Sequence, residues 1–171
     1  MFRNDNSSRH SQNARPYGGI AVYSRVDYYH EYPYCSNRNI VEITILRFMM
    51  IPHVTIVAVY RSPSVSIREA SGAIEETFNS LPTQFNICMG AFNVNWLSDS
   101  RRTPLYNLFI RDNGYRQLVF CSNTDSNTCI DHIYTNLPEA QARFQILETY
   151  FSDHKAIWAL RNCFEANNII A

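Results

Sequence analysis

Several features are scarce in this sequence, and each scarcity narrows what the chain can be. No apolar segment near Met1 has the form of a signal peptide, and no run approaches the roughly 20 residues needed to span a bilayer. The expectation is a chain that is not secreted, has no membrane partner and works inside the cell, nuclear or cytoplasmic. Asn6-Ser7-Ser8 matches a glycosylation sequon, but without a secretion signal the match carries no weight. Net charge is missing too: 15 Lys and Arg balance 15 Asp and Glu, so no global field advertises nucleic acid, although a local basic patch is compatible with neutrality. The five cysteines (Cys35, Cys88, Cys121, Cys129, Cys163) form no C-x-x-C pair and are odd in number, which points to free thiols in a reducing compartment. No repeat of 20–50 residues is visible, so nothing indicates a solenoid or a propeller.

What is present describes a globular domain. With 171 residues the chain is long enough to bury a core. Apolar residues at 46% and aromatics at 13% lean toward strands, where such side chains pack on a pleated surface. Residues 1–17 read as a loose polar leader, 18–161 as one folded domain and 162–171 as a frayed tail. Ile20 to Tyr23 reads as a strand and the Tyr-rich stretch 26–40 as a surface loop. Glu42–Met50 and Val54–Tyr60 follow as strands, the second with almost no polar residue, as for a strand buried on both faces. Ser66-Ile67-Arg68-Glu69 has capping-box spacing, and Ile67, Ala70, Ile74, Phe78 and Leu81 line one helical face. Thr103-Pro104 reads as a cap and N1 proline, with Leu105, Leu108 and Phe109 on one face and Gly114 as the stop. Phe85–Met89, Tyr115–Phe120, Cys129–Tyr134, Phe144–Tyr150 and Ala156–Leu160 complete the set of strands. Strands with two interposed helices predict an α/β (α+β) layered domain, with sheets in the core and helices outside.

Chemistry concentrates where strands end. The strand from Phe85 runs into Cys88-Met89-Gly90-Ala91-Phe92-Asn93-Val94-Asn95-Trp96-Leu97, whose glycine breaks the apolar run and whose polar residues follow. Asp131-His132 and Ser152-Asp153-His154 mark the edges of two later strands. An Asp and a His from separate strands can pair so that the carboxylate fixes the imidazole tautomer and leaves the other nitrogen as a base. A second carboxylate nearby suits a hard cation such as Mg²⁺, which takes few protein oxygens and several waters. Asn93 offers a hydrogen bond to a phosphate oxygen, or an oxygen to the metal. Alone, the Gly90–Asn93 stretch is more often a strand-end turn and an Asp-His dipeptide more often a solvated loop, while Asp131 reads as readily as a structural ion pair. Tyr60-Arg61-Ser62-Pro63 alone reads as punctuation at a strand exit. Arg101-Arg102, Arg111 and Arg116 are candidate phosphate contacts or simply solvated charges.

Taken in order, YRSPS, GAFNVNWL, CIDHIYTN and FSDHKAIW resemble the endonuclease/exonuclease/phosphatase family, and FRND followed by GGIAVYS resembles its mid-domain approach to a strand. The likeness runs from about Phe2 to Leu160 and is nearest to the endonuclease domains of mobile elements such as non-LTR retrotransposons and some Helitrons. It implies two packed β-sheets flanked by helices, Mg²⁺ or Mn²⁺ as cofactor, and hydrolysis of phosphodiesters or phosphomonoesters with DNA as partner. On the matching positions, His154 would promote attack by water, Asp131 would orient it, and Asp153 would lie near the metal. Asn93 would contact the scissile phosphate and Tyr60 would help position it.

Two departures qualify the likeness. Ala91 stands where the motif has an aspartate. The family's upstream asparagine and acidic metal ligand precede the segment at which this chain begins, so the expectation is an N-terminally truncated four-layer sandwich. Losing a general acid or base costs about 10²–10⁴-fold in rate. The expected function is therefore nuclease-type hydrolysis, weak or lost. The alternatives are a non-catalytic remnant or nucleic-acid-binding module, and a phosphatase or phosphodiesterase acting on a small molecule. Oligomeric state is left open.

Overall fold

Ten short strands and two helical segments make up most of the residues described by the computed structural model, namely 2–4, 19–23, 34–38, 41–48, 53–81, 85–98 and 100–161. β1 (Phe2–Asn4) pairs antiparallel with β2 (Ile20–Val22), so part of the expected leader is a strand. β3 (Tyr34–Arg38) also corrects the reading of 26–40 as loop: it is the edge partner of β4 (Val41–Phe48). β5 (Val54–Tyr60) pairs antiparallel with β4 and parallel with β6 (Phe85–Ala91), and is mostly buried as its apolar run predicts. β7 (Arg116–Gln117) and β8 (Asp131–Thr135) close one sheet in the order β3-β4-β5-β6-β8-β7. β9 (Ala142–Leu147) and β10 (Ala156–Arg161) form a separate antiparallel ribbon. The Asn6 sequon, Cys163, the 162–171 tail and the rest of the leader lie outside the described residues.

Because β5 and β6 are parallel, a crossover must join them, and α1 (Ile67–Asn79) supplies it. Ala70 and Ile74 of α1 are fully buried, with Ile67, Phe78 and Leu81 packed against the same core, as their spacing predicts. Ser66 is the N-cap, but its hydroxyl makes no capping bond, so the capping box is not formed. The second helical segment begins before Thr103. It opens with a 3₁₀ turn (Ser100–Arg102), passes through one α-turn, α2 (Thr103–Leu105), and widens into a π-helix (Tyr106–Asp112). Thr103 therefore lies inside the helix, its hydroxyl donating back to the Ser100 carbonyl at 3.1 Å. Gly114, with φ of 66°, turns the chain out of it. Beyond that point the expected strand 115–120 shrinks to two residues. Tyr115 is drawn into the core against Phe78 and Phe109, and Phe120 is left 61% exposed.

The register assigns the two faces of the main sheet. Val59, Gly90 and His132 share a row, as do Val57, Cys88 and Tyr134, and on this side Phe109 of the π-helix stacks on Tyr134 at 3.9 Å. Tyr60, Ala91 and Asp131 share the adjacent row and point to the opposite face. There His154, just ahead of β10, reaches Asp131, and Ile146, Ile157 and Ala159 of the β9–β10 ribbon pack on the core. Helices thus lie on one side of the six-stranded sheet and a second sheet on the other, an α+β arrangement of two packed sheets flanked by helices, as the sequence predicts. No helix among the described residues is long and apolar enough to cross a membrane, which says nothing of membrane-spanning strands.

Candidate active site

The site lies at the carboxyl ends of the parallel strands β5 and β6, where an α/β sheet with a crossover opens a crevice. Gly90 shows how closely these strands approach. Its φ is 140°, and a Cβ placed there would sit 2.0 Å from the Val59 carbonyl oxygen, so only glycine fits. Past it the chain leaves the sheet through Asn93, which has φ of 54°, a left-handed conformation that asparagine tolerates better than most residues.

Arg61 locks this exit. It is 3% exposed, and its guanidinium donates to the carbonyls of Phe92 (2.5 Å), Asn93 (2.7 Å), Ser62 (3.1 Å) and Val65. Its own carbonyl accepts the Asn93 Nδ2–H at 2.6 Å, and its N–H donates to the Ala91 carbonyl at 2.9 Å. The loops after β5 and β6 are thereby tied together. One amide hydrogen of Asn93 is committed to this tie, leaving the other and Oδ1 for a ligand. Asn123 does the corresponding work for β8. Fully buried, its Oδ1 accepts the N–H groups of Ile130 (3.0 Å) and Asp131 (3.4 Å), while its Nδ2 donates to the Asp131 carbonyl.

Held this way, Asp131 accepts a hydrogen bond from His154 Nδ1 at 2.6 Å. The imidazole proton on Nδ1 fixes the tautomer and leaves Nε2 as the acceptor. The side chain of His154 is 40% exposed and that of Asp131 12%, so the carboxylate sits at the back and the ring at the front, open to a reactant. Burial raises the Asp131 carboxyl above its ordinary value; the His154 bond and charge pull it down, and the charge of Asp153 adds to the rise. His154 is seated by its own neighbours: Thr124 bridges it, and the Asp153 carbonyl accepts the Asp125 N–H at 2.9 Å.

The other expected residues fall around this pair unequally. Asp153 precedes His154 on the exposed side. Ala91 is directly opposite Asp131 in the register, so a carboxylate at that position would stand beside the dyad. Tyr60 is the next residue in the same row, two strand spacings from Asp131, about 10 Å. No contact of its side chain with the dyad is seen. Glu42, buried on β4, continues that row past Tyr60 and was not anticipated from the sequence. His132 is excluded from the site. It is on the opposite face, its Nε2–H donated to the Val94 (2.9 Å) and Cys129 (3.0 Å) carbonyls and its Nδ1 accepting from Tyr134 Oη. Of the candidate arginines, Arg102 donates to the Trp96 carbonyl, Arg116 to the Leu137 carbonyl and Arg111 to Asp112. These bonds give them structural work rather than leaving them aimed at a phosphate.

Whether these residues suit a divalent cation can be tested on the donor set. Asp131 Oδ2 is engaged by His154, Ala91 supplies no oxygen, and among the described residues no three His, Cys, Asp or Glu side chains come together to hold a metal. The described donors do not form a cation cage, and the chemistry below uses only the chain's own groups.

No family model matches the chain, and no curated protein matches it. Among solved structures it is similar to a crystal structure of an endonuclease/exonuclease/phosphatase family protein from Bacteroides thetaiotaomicron, with 16% sequence identity and a TM-score of 0.46. The alignment covers 71% of this chain and 51% of that one, so this chain spans about half the length of that protein.

Proposed function

We propose that this chain is an endonuclease/exonuclease/phosphatase-type hydrolase domain whose base is His154, oriented by Asp131, and whose activity on phosphodiesters, DNA among them, is weakened at Ala91. The observation that carries the reading is the 2.6 Å bond from His154 Nδ1 to a carboxylate set behind it, with the ring front open. In this reading Nε2 takes a proton from water as its oxygen bonds to phosphorus. The bond from phosphorus to the leaving oxygen breaks, and the imidazolium returns the proton to that oxygen. Asn93 keeps one amide hydrogen for a non-bridging phosphate oxygen. A relationship to mobile-element endonucleases belongs to the same proposal and rests on the order of the sequence motifs; the Mg²⁺ or Mn²⁺ that those motifs imply is not held by the described donors alone.

The test is nicking of supercoiled DNA, with an aryl phosphate and an aryl phosphodiester in parallel, in Mg²⁺, Mn²⁺ and chelator. Turnover in the native chain that falls at least about 100-fold in His154→Ala supports the reading. Equal turnover by both overturns it. One observation favours a second reading: Ala91 faces Asp131 where the motif acid belongs. A non-catalytic nucleic-acid-binding module would show no cleavage under any condition together with salt-sensitive binding. Turnover confined to the aryl phosphates would mark a small-molecule phosphatase instead.

A further inference from the structure

Two large aromatic rings stand in water beside the dyad. Tyr150 is 99% exposed and Phe151 is 91% exposed, and they immediately precede Ser152-Asp153-His154. Single exposed aromatics are ordinary on protein surfaces, but adjacent ones at a site mark an interaction surface. The segment that carries them is pinned. Thr149 Oγ1–H is shared between the carbonyls of His154 and, at 3.3 Å, Ser152, while Ser152 Oγ accepts the His154 N–H at 3.0 Å. The turn therefore closes on the backbone of the histidine itself and directs both rings outward. With consecutive Cα atoms about 3.8 Å apart, the Phe151 Cα lies within about 11 Å of the His154 Cα and the Tyr150 Cα within about 15 Å. That reach covers the groups flanking a phosphoester at the dyad.

Charge narrows the ligand. Near the turn are Asp153, Asp125 and Glu148, against Lys155, whose ammonium is bonded to Glu148 at 2.7 Å. An acidic surround gives no long-range attraction to phosphate, so affinity at this turn comes from ring contact rather than from charge. What the turn offers is flat, apolar ring faces, and the matching ligand brings flat faces of its own next to a phosphodiester. Resting on the hydrolase reading above, we propose that Tyr150 and Phe151 form a stacking platform for unpaired nucleobases of a single-stranded or locally opened polynucleotide. Every base has a π-face, so such a platform is tolerant of sequence, whereas the bases of an intact duplex are stacked on each other and present none.

The test is equilibrium binding by fluorescence anisotropy, with the full chain in chelator so that nothing turns over. The probes are a short single-stranded DNA of mixed sequence, its duplex, and an abasic strand of equal length and charge. The expected order places the natural single strand first, with the abasic strand weaker by roughly 5- to 150-fold per base lost. Tyr150→Ala/Phe151→Ala, its fold checked by circular dichroism, brings the natural strand down to the abasic level. Phe151→Leu keeps apolar bulk without a flat face and also weakens binding. Overturning results are equal affinity for natural and abasic strands, a preference for the duplex, unchanged or undetectable strand binding across the variants, or binding to neutral phosphatidylcholine vesicles that survives in Phe151→Leu. Because no turnover is read, a failed platform leaves His154-dependent hydrolysis standing, and failed hydrolysis leaves the platform standing.

Discussion

Acidification should reveal how the core beneath the site is built, through His132. The ring is fully buried, stacked on Phe92 at 5.1 Å, and all of its hydrogen-bonding capacity is used in the neutral form. Nε2–H is donated to backbone carbonyls, and Nδ1 accepts the Tyr134 hydroxyl proton. A proton added to Nδ1 would displace that hydroxyl and put a charge in an aromatic cluster. Burial accordingly lowers the pKa to about 4 from an ordinary 6.5, with the Cys129 and Val94 carbonyls acting in the opposite sense. The sign follows: below pH 6.5 the unfolded chain takes up a proton that the folded chain refuses until about pH 4. The stabilising contribution is therefore whole above 6.5 and lost as pH falls through that window. At about 1.4 kcal/mol per tenfold in proton affinity, it amounts to about 3 kcal/mol in total and about 2 kcal/mol between pH 7 and 4.5. Asp131 acts oppositely, since its raised carboxyl favours the folded state on protonation, so the comparison must be between matched proteins. Urea unfolding of the native chain and His132→Gln from pH 7 to 4.5 isolates the term. The native chain should lose about 2 kcal/mol more than the variant, and its His132 ring proton resonance should stay at the neutral position to pH 5. Parallel stability profiles, or a ring that titrates near 6.5, would refute the reasoning.

Gly90→Ala should cost at least about 3 kcal/mol, because the new methyl meets the Val59 backbone and the φ of 140° is strained for alanine; an unfolding midpoint unchanged in urea would count against the close approach of β5 and β6. Arg61→Lys should cost about 2 kcal/mol or more, since one ammonium cannot span the carbonyls of Phe92, Asn93 and Val65. It should also weaken phosphoester binding through Asn93, seen as a raised KM. Ala91→Asp should raise turnover by about 10²–10⁴-fold if the missing acid is what limits the site. Its carboxylate, opposite Asp131, should also move the pH–rate profile to higher pH, and a variant no faster than the native chain would place the limitation elsewhere.

Much of this layout is legible in the sequence wherever a single face or a single strand decides it. The β5 run and the α1 stripe follow from apolar period alone, whereas β6 continues through Gly90 to Ala91, past the expected end at Met89. The misreadings arise where a partner, rather than the segment's own pattern, decides the outcome. Residues 34–38 look like loop because their Tyr and Cys content gives no alternation, yet β4 supplies a partner edge and the ladder forms. Phe2–Asn4 finds β2 across the leader in the same way. Ser66 and Glu69 have the right spacing for a capping box, but spacing cannot report that the hydroxyl turns elsewhere. The pairing of Asp131 with His154 follows from the motifs. The residues that set its geometry do not, because Arg61 reads as strand-exit punctuation and Asn123 as one more polar loop residue until their carbonyl and amide partners, some 8 to 32 positions away, are brought alongside.

The motif residues also separate by what the fold requires of them. Gly90 is demanded by the Val59 carbonyl, Phe92 by the aromatic cluster, and Asn93 by its left-handed backbone and its bond to Arg61. All three would be kept by a chain that had lost every trace of chemistry. The Asp131–His154 pair is different. Asp131 is mostly buried in the pair, and the net raising of its carboxyl means that burial costs its charge more than His154 returns. Asn123 is spent on holding that carboxylate's backbone in place, so the fold supports a pair that does little to support the fold. Folding physics accounts for the glycine, the phenylalanine and the asparagine; the dyad is the part it leaves over, and the proposed hydrolysis rests on it rather than on the stretch around Ala91.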